Sequence, residues 1–230
     1  MEQTTKLWYL EDFDLFQSMT REEIEAVEEH VFTRNLKKNE RITFSKNLNK
    51  YVYLVNEGVL KVIATDQEGR ETIVCLRRRG NIFGALPLLG DFQAPEDYAE
   101  AIEDSVVSFI DTEKLRQWMT ENHELRTAIR SHIGMKLQQI ENRLLSMIFK
   151  DAKKRIHDFL VEFVMEYGAK TDNGYEVKNF LTNDEVAKLT ATSRQTVNSV
   201  LNELRDQKLI EYNKEILFIP FASELLKDQK

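Results

Sequence analysis

The chain contains few of the residues that mark several large classes of protein. Its 230 residues include one cysteine, three prolines and eight glycines. The single cysteine, Cys75, excludes a disulfide framework, a cysteine-rich zinc module and an iron–sulfur cluster held by four cysteines, and it suits a reducing compartment. The low content of glycine and proline excludes a collagen-like or low-complexity chain.

Long apolar stretches are also absent. No run approaches the roughly 18 apolar residues of a membrane-spanning helix, and the N-terminal residues lack the basic-then-apolar pattern of a signal peptide. We therefore expect a cytoplasmic protein that does not associate with a membrane. Apolar residues make up 42% of the chain, which is enough for a sizeable core, and 230 residues correspond to one large domain or two small ones.

Acidic residues are in excess, and the excess is uneven. The formal charge is −7, of which residues 1–149 carry −6 and residues 150–230 carry −1. The net charge argues against nucleic-acid binding through bulk charge, although not against a local site. The acidic N-terminal part is a poor candidate for phosphate contacts, whereas the nearly neutral C-terminal part can still present a basic face.

The apolar periodicity predicts a short helix followed by a β-rich region. Thr20 and Glu23 have the spacing of a capping box, which predicts an amphipathic helix over Thr20–Thr33. Short β-branched or aromatic runs then alternate with turns, which indicates an antiparallel sandwich or barrel. The predicted strands are Arg41–Phe44, Tyr51–Val55, Val59–Ile63, Glu71–Leu76 and Val106–Ile110.

Helical periodicity returns near Asp111. It predicts a short helix over Thr112–Thr120 and a long one over Glu121–Phe149. Within the long helix, apolar residues spaced by four and three positions form a coiled-coil seam: Ile133, Leu137, Ile140, Leu144 and Met147. Two interpretations remain open. The helix packs on its own domain, or it pairs with the same helix of a second copy, which its polar flanks favour.

Residues 182–209 have the pattern of two short helices joined by a tight turn. Thr182 and Glu185 form a second capping box, and Ser193 is an N-cap for the following helix. Two helices joined by about three residues need small or β-branched residues where they meet. The chain supplies them at Val186, Ala187, Ala191, Val197 and Val200. The pattern predicts a helix-turn-helix, with a plain helical hairpin as the alternative.

The outer face of the second helix favours the helix-turn-helix. Its side chains are polar and none is acidic: Arg194, Gln195, Asn198, Ser199 and Asn202. Arginine can fork to guanine, and glutamine can pair with adenine through two hydrogen bonds. The predicted elements around the motif complete a winged helix. They are a helix over Asp151–Tyr167 ended by Gly168, a strand over Tyr175–Leu181, and a hairpin of Leu209–Tyr212 and Glu215–Ile219.

The order of these parts resembles the Crp/Fnr family of bacterial transcription regulators over nearly the whole chain. The stretches that carry the resemblance are Tyr53–Val62 with Gly69–Glu71, Gly80–Leu86 and Thr192–Val197. The last, which is similar to the start of the family's recognition helix, is the most specific. The resemblance implies an α+β fold with an N-terminal β-roll (a double-stranded β-helix or jelly roll), a long dimerisation helix and a C-terminal winged helix-turn-helix.

The resemblance also implies a role for each segment of the chain. Residues 1–120 would be the sensor domain, residues 121–149 the dimerisation helix and residues 150–230 the DNA-binding domain. The protein would be a homodimeric regulator and not an enzyme, controlled allosterically through the β-roll, with double-stranded DNA of roughly palindromic sequence and RNA polymerase as partners. Arg194, Gln195 and Ser199 would read bases. The expected partners of the DNA backbone are Thr182, Ser193, Thr196, Lys188 and Lys153.

The effector region departs from the family members that bind cyclic AMP. The resemblance places an effector pocket at Gly80, Phe83, Gly84, Ala85, Leu86, Tyr98 and Ala99. Those members carry glutamate where this chain has Ala85, an Arg-Ser pair where it has Ala94–Tyr98, and hydroxyl residues near Ile140 and Glu141. The missing arginine would neutralise the cyclic phosphate, so the comparison argues against cyclic AMP as the effector.

Other effectors are constrained less strongly. Oxygen-sensing members hold an iron–sulfur cluster with four cysteines, which this chain lacks. A haem sensor would need axial ligands, and only His132 lies on the long helix near the β-roll. A structural role is favoured for His132, and haem is left open. We expect Arg77–Arg79 to be a solvated strand end and Cys75 a structural thiol, with an anion site and a redox switch as their alternatives.

Two further interpretations stay open. A metal-dependent, cupin-like enzyme would need histidines and carboxylates clustered on neighbouring strands, but the predicted strands contain no histidine. A constitutive DNA-binding protein, whose β-roll binds no effector, would account for the departures at Ala85 and Ala94–Tyr98.

Overall fold

The computed structural model describes residues 13, 16–17, 19–43, 50–90 and 98–227. The chain divides into two compact units, Met1–Ile140 and Glu141–Lys230. Among the described residues, no helix combines the length and apolar character needed to cross a membrane. The predicted strand end at Phe44 and the stretch Ala94–Asp97 lie outside the described residues.

The first helix among the described residues is α1 (Arg21–Glu28), which the predicted capping box begins. The Thr20 hydroxyl oxygen accepts a hydrogen bond from the backbone of Glu23, whose carboxylate accepts one from the backbone of Thr20. The prediction that this helix continues to Thr33 is wrong, because strand β1 (Val31–Leu36) begins at Val31. The first residues of β1 are β-branched or aromatic, and their pairing with residues 108–110 outweighs the helical spacing of Val31.

The described strands of the first unit form two four-stranded antiparallel sheets, in the orders β1-β8-β3-β6 and β2-β7-β4-β5. The remaining strands are β2 (Arg41–Thr43), β3 (Tyr51–Glu57), β4 (Val59–Thr65), β5 (Glu71–Arg78), β6 (Ile82–Phe83), β7 (Tyr98–Ala101) and β8 (Ser105–Asp111). Each of the five predicted strands is present. The sequence does not predict β1, β6 or β7, since β6 has two residues and β7 reads Tyr-Ala-Glu-Ala, which has little intrinsic β-propensity.

Side chains of the first sheet alternate between two cores. Val52 and Leu54 of β3 belong to a core shared with the helices, whereas Tyr53 and Val55 belong to the core that also contains residues of the second sheet. The sheets therefore pack as the predicted sandwich, and one sheet also carries the helices.

Two helices follow β8. Asp111 caps helix α2 (Thr112–Glu121) by accepting hydrogen bonds from the backbone of Glu113 and Lys114. Helix α3 (His123–Phe149) has 27 residues, and only Leu125 and Ile129 are buried along its described length. The N-terminal part of α3 is thus the part that packs on the first unit.

The second unit contains three helices and a small sheet in its described part. Helix α4 (Ala152–Tyr167) begins at the N-cap Asp151 and leads to β9 (Ala169–Lys170) and β10 (Gly174–Lys178). Helices α5 (Asn183–Thr190) and α6 (Arg194–Asp206) follow, and then β11 (Glu211–Tyr212) and β12 (Ile216–Pro220). The sheet order is β11-β12-β10-β9. This is the winged helix that the sequence predicts, with β11 and β12 as its wing.

Gly168 ends α4 for a steric reason. Its backbone is extended, with φ −98° and ψ 176°. A Cβ atom at this position would lie 2.4 Å from the carbonyl oxygen of Val164 and 2.5 Å from that of Glu176. The glycine therefore allows the end of α4 to approach strand β10 closely.

Candidate functional site

The turn between α5 and α6 is closely constrained. Ala191 has a left-handed backbone conformation (φ 51°, ψ 49°), which costs a residue with a side chain roughly 1–2 kcal/mol. The predicted contact residues Val186, Ala187, Val197 and Val200 are all buried. Both observations agree with the predicted helix-turn-helix.

Both helices of this motif carry the predicted N-caps. Thr182 Oγ1 accepts a hydrogen bond from the Glu185 backbone, and the Glu185 carboxylate accepts one from the Thr182 backbone at 2.8 Å. Ser193 Oγ accepts a hydrogen bond from the Thr196 backbone at 3.0 Å and lies 2.8 Å from Thr196 Oγ1. The three hydroxyls expected to contact a DNA backbone therefore lie at the helix starts and already serve the caps.

Arg155 of α4 binds the C-terminal end of α5. Its Nε donates a hydrogen bond to the carbonyl oxygen of Thr190, and its Nη2 donates one to that of Ala191, both at 2.9 Å. Its Nη1 donates to the carbonyl oxygen of Lys150, just after α3, at 2.8 Å. The last carbonyl groups of a helix have no partner within the helix, and a cation is favourable beside them. Arg155 therefore stabilises the turn and ties it to the junction of α3 and α4.

Arg143, in the last two turns of α3, adds a hydrogen bond to the same end of α5. Its Nη2 donates to the carbonyl oxygen of Leu189 at 2.9 Å. We call Arg143 and Arg155 the arginine clamp. The clamp cannot be recognised from the sequence, because its acceptors lie 35 to 46 residues along the chain from the arginines and are backbone atoms.

The predicted base-reading residues lie together on the exposed side of α6. Arg194, Gln195 and Ser199 are exposed, as is Asn202, and Asn198 is half-buried. The first turn of α6 contains no acidic residue, and its free amide groups carry a partial positive charge. This side of α6 can therefore approach a polyanion and present hydrogen-bonding groups to base edges.

Three polar side chains link the wing to α6 through the start of α5. The Tyr212 hydroxyl donates a hydrogen bond to Asn183 Oδ1, and Asn183 Nδ2 donates one to Asn198 Oδ1, each at 2.5 Å. We call these residues the amide relay. Asn198 is one of the polar residues predicted on the outer face of α6, but no local sequence pattern connects it to Tyr212 or Asn183.

The two lysines expected to contact phosphates each have a carboxylate neighbour. Lys188 Nζ lies 3.4 Å from Asp184 Oδ2, and Lys153 Nζ lies 2.5 Å from Glu203 Oε1. The hydrogen bond from Lys153 is the main cause that lowers the pKa of Glu203. A phosphate that binds either lysine would compete with these carboxylates.

One side of α3 is apolar and exposed. Ile133 packs partly against the helical core of the first unit, so the exposed part of the predicted seam begins one turn later. Its residues are 42–57% exposed: Leu137, Ile140, Leu144 and Met147. Ile148, which lies one turn after Leu144, is 63% exposed and extends the seam beyond the prediction. Among the described residues of the single chain, these apolar side chains are left exposed to solvent.

The structure distributes the described residues of the predicted effector pocket between two cores. Phe83 and Ala99 belong to the core between the two sheets, whereas Ala85 belongs to the core shared with the helices. Tyr98 lies on the other side of β7 from Ala99, because neighbouring residues of a strand alternate. Within the core between the sheets, Phe83 stacks on Tyr53 with ring centres 5.0 Å apart.

The other predicted pocket residues shape the loop that follows β5. Gly80 and Gly84 have left-handed φ values of 84° and 74°, which favour glycine. Ala85 is 7% exposed and precedes a short 3₁₀ helix that Leu86 begins. At the position where cyclic-AMP-binding members carry glutamate, this chain thus has a buried methyl group.

Tyr98 lies beside an ion cluster centred on a buried carboxylate. Glu100 is 8% exposed and accepts from Arg41 Nε and Lys61 Nζ, both at 2.7 Å. The Arg41 guanidinium lies 4.3 Å from the centre of the Tyr98 ring. Burial raises the pKa of Glu100, but the hydrogen bonds from Lys61 and Arg41 outweigh burial and the pKa lies below its usual value. The cluster fastens β7 to its neighbours β2 and β4.

The sequence leaves two roles open for Cys75, for Arg77–Arg79 and for His132, and the structure shows the surroundings of each. Cys75 packs in part against the core between the sheets. The expected solvated strand end describes Arg78 and Arg79, which are exposed, but not Arg77, which is half-buried and donates a hydrogen bond to the carbonyl oxygen of Leu76. His132 is half-buried and hydrogen-bonds to the backbone of Ile82, and burial is the main cause that lowers its pKa. Among the described residues, no three of the types His, Cys, Asp and Glu are grouped so that they could hold a metal ion.

Comparison with known proteins finds two matching domain families. Residues 33–122 match the cyclic nucleotide-binding domain, and residues 154–226 match the Crp-like helix-turn-helix domain. The first range covers both sheets and the second covers the winged helix. The matches therefore follow the two units of the structure.

Whole proteins with both domains are also similar. The CRP-like cAMP-activated global transcriptional regulator of Mycobacterium tuberculosis is 23% identical over 176 residues, which cover 76% of this chain and 78% of that protein. The cAMP-activated global transcriptional regulator CRP of Salmonella typhimurium is 26% identical over 169 residues, which cover 73% and 80%.

A solved structure extends the likeness to the fold. FixK2 from Bradyrhizobium japonicum superposes with a TM-score of 0.73 at 19% identity, covering 86% of this chain and 96% of that one. The two domain matches, their order along the chain and the winged helix lead to one conclusion. This chain belongs to the Crp/Fnr family of transcription regulators.

Proposed function

We propose that this protein is a homodimeric, sequence-specific DNA-binding regulator, controlled through its β-roll by an effector other than cyclic AMP. The observation that carries the proposal is the exposed, acid-free side of α6 with Arg194, Gln195 and Ser199 close together. Residues 1–120 serve as the sensor, 121–149 as the dimerisation helix and 150–230 as the DNA-binding domain. The protein acts in the cytoplasm, contacts RNA polymerase and catalyses no reaction.

Dimerisation supplies the geometry that DNA requires. Two copies of α6 must lie about 34 Å apart to enter successive major grooves on one side of B-DNA. The exposed apolar row on α3 supports pairing with the same row of a second copy, since a row of this size is unfavourable in water. Such a dimer recognises a roughly palindromic site, because each copy reads one half.

Control passes through α3 in this proposal. The helix starts on the core of the first unit at Leu125 and Ile129, and its last turns carry Arg143 of the arginine clamp. An effector that binds one arrangement of the dimer more tightly shifts the population toward it, by the difference in its affinity for the two arrangements. The arrangement with the correct spacing of the two α6 helices binds DNA.

Replacing Gln195 with glutamate is expected to change the selected half-site at one base pair. An amide donates and accepts hydrogen bonds and suits adenine, whereas a carboxylate only accepts and suits cytosine. Binding-site selection from random DNA with the wild type and Gln195→Glu tests the base-reading role. If both proteins enrich the same half-site, α6 does not read bases through this residue.

Two alanine variants separate base reading from positioning in the same assay. Arg194→Ala should cost about 1–3 kcal/mol on the preferred site and relax the preference at one position. Lys188→Ala is the control, because a phosphate contact carries no sequence information. It should weaken binding to all DNA sequences alike. It should also reduce the slope of log affinity against log salt concentration by about one unit.

Cyclic AMP at millimolar concentration is expected to give no saturable heat in calorimetry. The side chain of Ala85 has no polar group that could bind the ligand. Ala85 belongs to the core shared with the helices, whereas Phe83 and Ala99 belong to the core between the two sheets. Saturable binding would show that another basic group has replaced the arginine that cyclic-AMP-binding members carry.

A second candidate function is a constitutive regulator whose β-roll binds no effector. The stacked Tyr53 and Phe83 rings, which occupy the core between the sheets, favour it. A thermal-shift screen against nucleotides, haem and organic acids discriminates the two functions, because a ligand of the folded state raises its melting temperature.

A further inference from the structure

The amide relay turns the amide oxygen of Asn198 toward Asn183. Asn183 accepts from Tyr212 through Oδ1 and donates to Asn198 through Nδ2, so the amide oxygen of Asn198 is already occupied. The amide nitrogen of Asn198 keeps its two N–H groups. Since Asn198 lies one helical turn after Arg194, both side chains project from the same side of α6.

An amide that is fixed in this way differs from a free one in what it recognises. A free asparagine pairs with adenine by donating to N7 and accepting from N6, which requires both its nitrogen and its oxygen. An asparagine whose oxygen is held against another protein group presents its N–H groups, and not its oxygen, to the base. It therefore suits a base edge that offers acceptors, such as N7 and O6 of guanine or O4 of thymine.

We propose that Asn198 is a further base-reading residue and that Tyr212 and Asn183 determine which base it selects by fixing the direction of its amide group. The inference rests on the proposed DNA-binding function. It adds that a residue of the wing, Tyr212 in β11, contributes to the choice of base. The Tyr212 hydroxyl donates to the oxygen of Asn183, so the nitrogen of Asn183 is turned toward Asn198 and the relay has one direction. The direction, and not merely the contact, sets the specificity.

Asn183→Asp is the variant that reverses the relay. A carboxylate only accepts hydrogen bonds, so both of its neighbours must donate to it. The Asn198 amide then turns its nitrogen inward and its oxygen outward. Binding-site selection should show the preference at one base pair moving from guanine or thymine to a base with a donor, cytosine or adenine, by roughly tenfold.

The variant is expected to fold, because Asn183 is the first residue of α5 and a carboxylate is favourable in the first turn of a helix. Thermal melting followed by circular dichroism checks this. The added negative charge should weaken binding to every sequence, and for that reason the selected base, not the affinity, is the readout.

Asn198→Ala provides the matched background. Without the Asn198 amide, adding Asn183→Asp should still lower the affinity for all sequences but should leave the selected base unchanged. Tyr212→Phe is the second test. It removes the hydroxyl that sets the direction, so the preference at this one base pair should relax while the others stay as in the wild type.

Each outcome of these selections tests a different part of the proposal. If the wild type enriches a palindrome but Asn183→Asp enriches the same base at every position, the relay does not set specificity. A change of base that persists in the Asn198→Ala background would overturn the role of Asn198 as well. A wild type that enriches no sequence at all would overturn the proposed function, and this inference with it.

Discussion

Ile140→Asp is expected to turn the protein into a monomer in sedimentation and to abolish its binding to palindromic DNA. Ile140 is 57% exposed in the single chain and lies in the middle of the apolar row on α3. If two copies pair through this row, the variant buries an unpaired carboxylate in each copy. Burial of an unpaired charge costs on the order of several kcal/mol, which is enough to separate the two copies.

Asn142→Asp is the matched control for this experiment. It adds the same negative charge to the same helix, but Asn142 is exposed and lies on the side of α3 opposite the row. The control should sediment as the wild type does and keep its affinity for the palindrome. A dimeric Ile140→Asp protein would show that the row is not the dimer interface.

Arg155→Met is expected to loosen the helix-turn-helix while the first unit stays unchanged. The variant keeps the apolar stem but loses three hydrogen bonds to backbone carbonyl groups, two of them at the end of α5. A hydrogen bond that involves a charged group contributes about 1.5–3 kcal/mol. Amide hydrogens of α5 and α6 should therefore exchange with solvent about ten to a hundred times faster.

Hydrogen exchange followed by mass spectrometry is the suitable measurement, because both tryptophans precede residue 141 and their fluorescence does not report on the second unit. Lys154→Met is the control. It removes the same charge from the preceding position of α4, where the lysine lies 3.3 Å from Asp158, and Asp158 keeps Lys150 as a partner at 2.7 Å. Equal exchange in the two variants would mean that the clamp adds nothing to the stability of the motif.

The parts of the fold that could be predicted from the sequence are those determined by neighbours along the chain. The caps at Thr182 and Ser193 and the buried small residues of α5 and α6 are local requirements, and they are sufficient to predict the helix-turn-helix. Strands β3, β4, β5 and β8 carry enough β-branched and aromatic residues to be found from composition alone.

The parts that could not be predicted depend on distant partners. Strand β7 exists because β2 and β4 pair with it on both sides, and not because Tyr-Ala-Glu-Ala prefers an extended conformation. The arginine clamp binds backbone atoms that any sequence would supply. The division of the expected pocket residues between two cores follows from strand pairing and from the alternation of side chains, which spacing along the loop does not reveal.

The exposed apolar row on α3 also has a consequence for gene dosage. A dimer held together by this row, as proposed, exists in equilibrium with its monomers, and its amount at low abundance rises with the square of the number of chains. Occupancy of a site that only the dimer can fill then responds to expression with a slope of about two on logarithmic axes. Such a regulator would respond steeply to its own rate of synthesis even before any small molecule binds it.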